Sequence, residues 1–138
     1  MKLLIDTNVI LDTFLEREPH RKYADVIFDL IGDNKIVGYI NTSSVTDIYY
    51  VLRKKLSDAE SREKIRTLLT LFQTVDVTKT NCFAALDSPI SDFEDALVAV
   101  CAQGAGVHFV VTRDDEFLKH HRTISPSDFL EKFNKPKH

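Results

Sequence analysis

The opening Lys2-Leu3-Leu4-Ile5-Asp6 is a run of branched apolar residues that stops on a carboxylate. Such a run reads as a strand buried on both faces, with its polar end at the edge of a sheet. Three further runs of this kind cover residues 35–40, 73–77 and 107–112. Helical patterns separate all four, and that alternation predicts a largely parallel sheet with helices on both sides. The expected architecture is a three-layer α/β/α domain with a central, mostly parallel sheet of four or five strands.

Local signals mark where the helices start and stop. Pro19 precedes Tyr23, Val26, Ile27, Leu30 and Ile31 at helical spacing. Thr42 to Ser44 are N-cap candidates for a helix carrying Val45, Ile48, Tyr49 and Leu52. Ser57-Asp58-Ala59-Glu60 and Ser91-Asp92-Phe93-Glu94 both have the pattern of a capping box. The second box places Asp92 at the first helical position and gives Glu94 a structural role. Gly104 and Gly106 close that helix, and Ser125-Pro126 opens a short last one through Phe129, Leu130 and Phe133. Residues 1–133 are expected to form one domain, with the Lys-rich 134–138 as a fraying tail.

Bulk composition agrees. The chain has 138 residues, 43% hydrophobic and 28% charged, which suffices for one buried core. No apolar run approaches the roughly 20 residues of a membrane helix. The acidic turn at Asp6 comes too early for a secretory leader. Cys82 and Cys101 form no metal or disulfide pattern, so reduced thiols in the cytoplasm are expected. A net charge of −3 argues against a general polyanion binder. Basic residues do gather locally, as in Arg53-Lys54-Lys55 and Lys119-His120-His121-Arg122; solvated faces or helix ends account for such groups.

The placement of the acids is more informative. Asp6 ends the first strand, and Asp114 follows the last one with one residue between it and Thr112. Open parallel sheets bind ligands outside the carboxyl ends of their strands, so these two are candidates for one site. Asp47, and Asp92 with Asp95 three residues on, begin helices that start at the same edge. Each has a plainer reading: Asp6 as a turn residue, Asn8 as a helix cap, Asp47 as a solvated helical residue. Together, unmatched carboxylates repel, and a divalent cation relieves the repulsion. Oxygen-only ligation suits Mg²⁺ or Mn²⁺, which activate water for phosphodiester hydrolysis.

Three segments in order resemble the PIN-domain family, and within it the VapC-like toxin branch. They are Leu4-Ile5-Asp6-Thr7-Asn8-Val9, Asp92-Phe93-Glu94-Asp95-Ala96-Leu97 and Val111-Thr112-Arg113-Asp114. The resemblance extends from Met1 to about Phe129. It implies metal-binding acids at Asp6, Asp95 and Asp114, with Asp92 beside them. It also implies a fourth catalytic acid at Asp47, where relatives often carry the longer Glu, and orienting roles for Asn8 and Thr112. Arg113 is then expected to contact RNA phosphates. The implied activity is Mg²⁺- or Mn²⁺-dependent cleavage of RNA by a homodimer restrained by a small antitoxin protein. Tyr49, Tyr50, Leu52, Leu68, Leu69 and Leu71 would supply apolar surface for the dimer.

Two other enzyme classes place an acid at a first strand end, and both fail on position. A haloacid-dehalogenase-like phosphatase needs a second Asp where Asn8 stands, and a receiver domain needs a phospho-accepting Asp where Thr78 and Lys79 follow Val77. The remaining alternative is a PIN scaffold of weak catalytic power that binds RNA or protein.

Overall fold

The computed structural model describes residues 1–135. Five strands form one sheet: β1 (Lys2–Ile5), β2 (Val37–Asn41), β3 (Gln73–Val75), β4 (Phe109–Val111) and β5 (Thr123–Ile124). Every pairing is parallel, and the order β3-β2-β1-β4-β5 puts β1 in the middle. Leu3 pairs with Gly38 on one side and with Phe109 on the other. The central strand is therefore the apolar run that opens the chain. The fifth strand, Thr123–Ile124, has only two residues and leaves no apolar run to read.

Seven helices flank the sheet among the described residues: α1 (Thr7–Phe14), α2 (Arg21–Gly32), α3 (Val45–Arg53), α4 (Asp58–Leu71), α5 (Lys79–Leu86), α6 (Phe93–Gly104) and α7 (Pro126–Asn134). The alternation of a strand sends successive side chains to opposite faces. Leu3 and Ile5 accordingly join a core with Ile10, Ile27, Ile48 and Phe129, while Leu4 joins a second with Val98, Ala102 and Phe117. The two cores give the three expected layers. On the first face the packing is close at Gly38, where a Cβ would stand 2.5 Å from Ile31 Cδ1 and 2.9 Å from the Phe72 ring.

The helix ends match the sequence signals in part. Ser57 and Glu60 make the full capping box at the start of α4, and Ser125 caps α7 with Pro126 behind it. Thr42–Ser44, expected to cap α3, instead form a single 3₁₀ turn with no side-chain cap. The box expected at Ser91 is shifted by one residue. Asp92, in extended conformation, is itself the N-cap of α6 and accepts from the Asp95 amide at 2.9 Å. A box between Thr78 and Asn81 opens α5, a helix the apolar pattern did not mark. β3 stops at Val75, short of the expected 77. Of the tail, Asn134 ends α7, and residues 136–138 lie outside the described residues. No helix of the described residues is long and apolar enough to cross a membrane.

Candidate active site

Asp6 is held at the carboxyl edge by both backbone and side chain. Its amide donates to the Val111 carbonyl at 2.9 Å, which joins the end of β1 to the end of β4. Its side chain caps α1: Oδ1 accepts from the Thr7 amide at 2.9 Å. Oδ2 accepts from the Thr112 hydroxyl at 2.7 Å and from Asn8 Nδ2 at 3.5 Å. Asn8 Nδ2 also reaches Thr112 Oγ1 at 3.4 Å, and the Asp114 amide donates to that same oxygen at 3.2 Å. The buried Thr112 thus ties Asp6 to the turn that carries Asp114. The cap role of Asp6 therefore engages Oδ1 and leaves Oδ2 facing Thr112 and Asn8.

Electrostatics bring in the helix-borne acids. Burial raises the pKa of Asp6; hydrogen bonds from Thr112 and Thr7 lower it in part, and Asp114 and Asp92 raise it further. Asp95 is pushed up to about 7, first by burial and then by Asp92, Asp6, Asp114 and Glu94. Glu94 is raised by burial, Asp47, Asp6 and Asp92. Six carboxylates, Asp6, Asp47, Asp92, Glu94, Asp95 and Asp114, therefore share one field. Glu94 was read as a capping residue; with Asp92 as the cap, its carboxylate is free of that duty. The missed signal was the alternative cap one residue later.

The structure adds a residue that the sequence reading passed over. Asp12 is wholly buried, and the Arg113 guanidinium forks onto it, Nε to Oδ2 at 2.6 Å and Nη2 to Oδ1 at 2.9 Å. Arg17 Nη1 lies 3.9 Å away. Such bidentate pairs are the strong form of a charged hydrogen bond. The side chain assigned in advance to RNA phosphates is thereby engaged in locking turn 112–114 onto α1. The available signal was an acid following Val9-Ile10-Leu11, a polar break in a buried stretch. Asn41, at the end of β2, is also buried, with neither side-chain Nδ2 nor Oδ1 hydrogen-bonded.

The donor chemistry fits Mg²⁺ or Mn²⁺. Every candidate ligand is a carboxylate oxygen, and a cation would offset both the burial that chiefly raises the pKa values of Asp6 and Asp95 and the neighbouring negative charges that add to it. The cluster is open rather than caged. Among the described residues, no three His, Cys, Asp or Glu side chains are packed tightly enough to hold one ion between them.

A family model for the PIN domain matches residues 2–116. The ribonuclease VapC1 of Aquifex aeolicus is 25% identical over 139 residues, covering 96% of this chain and 96% of the relative. Among solved structures, VapBC2 of Rickettsia felis bound to a promoter DNA fragment matches with a TM-score of 0.66 at 16% identity. That match covers 91% of this chain and 97% of the other. VapC20 of Mycobacterium tuberculosis, a sarcin-ricin loop cleaving toxin, matches with a TM-score of 0.68 at 13% identity. It covers 85% and 93% of the two chains. At these identities the structural matches speak for the fold.

Proposed function

The chain belongs to the PIN-domain family, and from that premise we propose that it is a metal-dependent ribonuclease, the toxin of a toxin–antitoxin pair. The observation that carries this reading is the field of six carboxylates at the carboxyl edge of the sheet, anchored on a doubly held Asp6. Asp6, Asp95 and Asp114 would close on Mg²⁺ or Mn²⁺ from the open arrangement they have here, with Asp92 offering the carboxylate oxygen that its cap bond leaves over. An ion held there supplies polarisation of a phosphate oxygen and a lowered pKa for attacking water. Asp47, on the exposed first turn of α3, acts at longer range through its charge. Thr112 and Asn8 orient Asp6, so that its outer oxygen keeps one direction. Arg113 fixes the Asp114 turn through Asp12.

The toxin role is supported by the relatives, which are VapC proteins, one of them in a VapBC complex. A cleft of about 570 Å³ between α3 and α4 suits a protein partner. Leu52 and Leu68 are spent on the core, but Tyr50 and Leu69 remain exposed at 65% and 47%. Antitoxin binding and dimer formation are both proposed, and the exposed Tyr50 and Leu69 are the surface expected to serve the dimer.

Incubating purified protein with a panel of RNAs tests the activity. Cleavage is expected with Mg²⁺ or Mn²⁺, and none is expected in chelator or from Asp6→Asn. Wild-type protein that binds RNA with metal present and never cuts it would favour the binding-scaffold reading.

A further inference from the structure

The opposite edge of the sheet holds a cavity that the ribonuclease reading does not use. It has a volume of about 490 Å³, within the range of small-ligand pockets. Ala99, Ala102 and Val107 give it an apolar lining, and His108, His121 and Arg122 give it a basic one. No Asp or Glu is among its lining residues. In a chain of net charge −3, this local balance is unusual.

Three details suit an anion. Arg122 makes no ion pair among the described residues, whereas Lys119 nearby is paired with Glu116. Arg122 also occupies the left-handed region, with φ of 60°, where glycine or asparagine would sit with less strain. Its carbonyl accepts from the Val110 amide at 2.8 Å, so the sheet fixes the backbone and the side chain is a separate choice. His108 Nδ1 faces the Lys2 backbone, 3.1 Å from its amide and 3.4 Å from its carbonyl, and Nε2 has no hydrogen-bond partner among the described residues. The cavity also borders the C-terminus of α6, an end that by itself repels anions. Its last carbonyls are already engaged: those of Cys101, Ala102 and Gln103 accept from the Ala105, Val107 and Gly106 amides.

We propose that this cavity is a second binding site for one ribonucleotide unit, its phosphate on Arg122 and its base against the apolar lining. The preference for an anion follows from the cavity itself, while the choice of a nucleotide rests on the ribonuclease reading. Two sources offer this chemistry, a free nucleotide and a nucleotide within an RNA strand.

Amide NMR titration in chelator, where no cleavage is expected, tests the site with 5′-AMP, uncharged adenosine and a short oligoribonucleotide. AMP should shift the Gly106, Val107 and Thr123 amides saturably and leave those of Asp6, Asn8 and Asp95 in place. Adenosine should bind at least tenfold more weakly, as should AMP to Arg122→Gly. Glycine relieves the left-handed backbone, so that variant should melt no lower than wild type and cleave a dinucleotide at the wild-type rate. Oligoribonucleotide shifts at the same amides support a strand as the source; shifts with AMP alone support a free nucleotide. Absence of these shifts with AMP, or full AMP affinity in Arg122→Gly, overturns the proposal. Failure of the ribonuclease reading would show separately, as shifts by AMP in a protein that cuts no RNA.

Discussion

Two sets of acids adjoin the turn at 112–114, Asp12 of α1 on one side and Asp6, Asp114 and the α6 residue Asp95 on the other, and they differ in their counter-charges. Asp12 is wholly buried and is matched by the forked guanidinium of Arg113. Asp6, Asp95 and Asp114 lie nearer the surface, and the pKa values of Asp6 and Asp95 are raised. The difference is the counter-charge: among the described residues, a forked arginine is paired with the structural acid and no Lys, Arg or His pairs with the edge cluster. A protein that needed those edge acids only for stability would gain by pairing or replacing them. Keeping them unpaired makes sense if a metal ion supplies the counter-charge, for the carboxylates and for a phosphodiester brought to it.

The comparison breaks most visibly at the paired site. Arg113→Met leaves the Asp12 carboxylate buried beside only the distant Arg17, and removing one partner of a buried pair costs about 3–5 kcal/mol. Urea unfolding should show that loss, and an effect near zero would mean that Asp12 is solvated in solution.

At the unpaired site the sign is reversed. The folded pKa of Asp95, about 7, lies above its ordinary 3.8. Between these values the native state holds a proton that the unfolded chain releases, so stability falls as pH rises across that window and is level above it. Asp6 and Glu94 are raised as well and act in the same direction. Calorimetry in chelator should therefore give a higher melting temperature at the acid end of this window than above pH 7. Asp95→Asn should shrink that difference and melt above wild type at pH 8. A wild-type melting temperature that rises across the window would contradict the unpaired cluster.

A smaller effect is expected at the rim. Asp47 is exposed, and if it acts through its charge as proposed, Asp47→Asn should slow RNA cleavage by roughly 10-fold, as outer groups around a metal site do. Asp47→Glu, which extends the reach by one methylene, should cleave at least as fast as wild type. Smallest is the change at Ser57, remote from both acid sets. Ser57→Ala removes half of the α4 capping box and should cost about 1 kcal/mol in urea unfolding, with cleavage intact.

The contrast between the two acid sets also explains what could be read in advance. β1 and the ends of β1 and β4 were legible, because buried parallel strands are continuously apolar and their terminal acids stand out. Asp6 and Asp114 stand out by that placement, and Asp95 by its position near the start of a helix read as beginning at the same edge. Asp12 was not legible, since one acid after Ile10 and Leu11 looks like a break in pattern until its partner 101 positions away is known. The role of Glu94 was hidden by an ambiguity of one residue. Ser91 and Asp92 both make good caps, and only the backbone conformation chooses between them. β5 was lost for want of length, because two residues show no periodicity.

Single-turnover cleavage of RNA by Asp95→Asn, beside wild type in saturating Mg²⁺, tests the central claim most directly. The substitution keeps the shape of the side chain and removes the charge that the cluster concentrates there. If the carboxyl edge is a metal-dependent ribonuclease site, the rate falls on the order of 100-fold or more while the variant stays folded. A folded Asp95→Asn protein that cuts RNA at the wild-type rate would place the chemistry elsewhere.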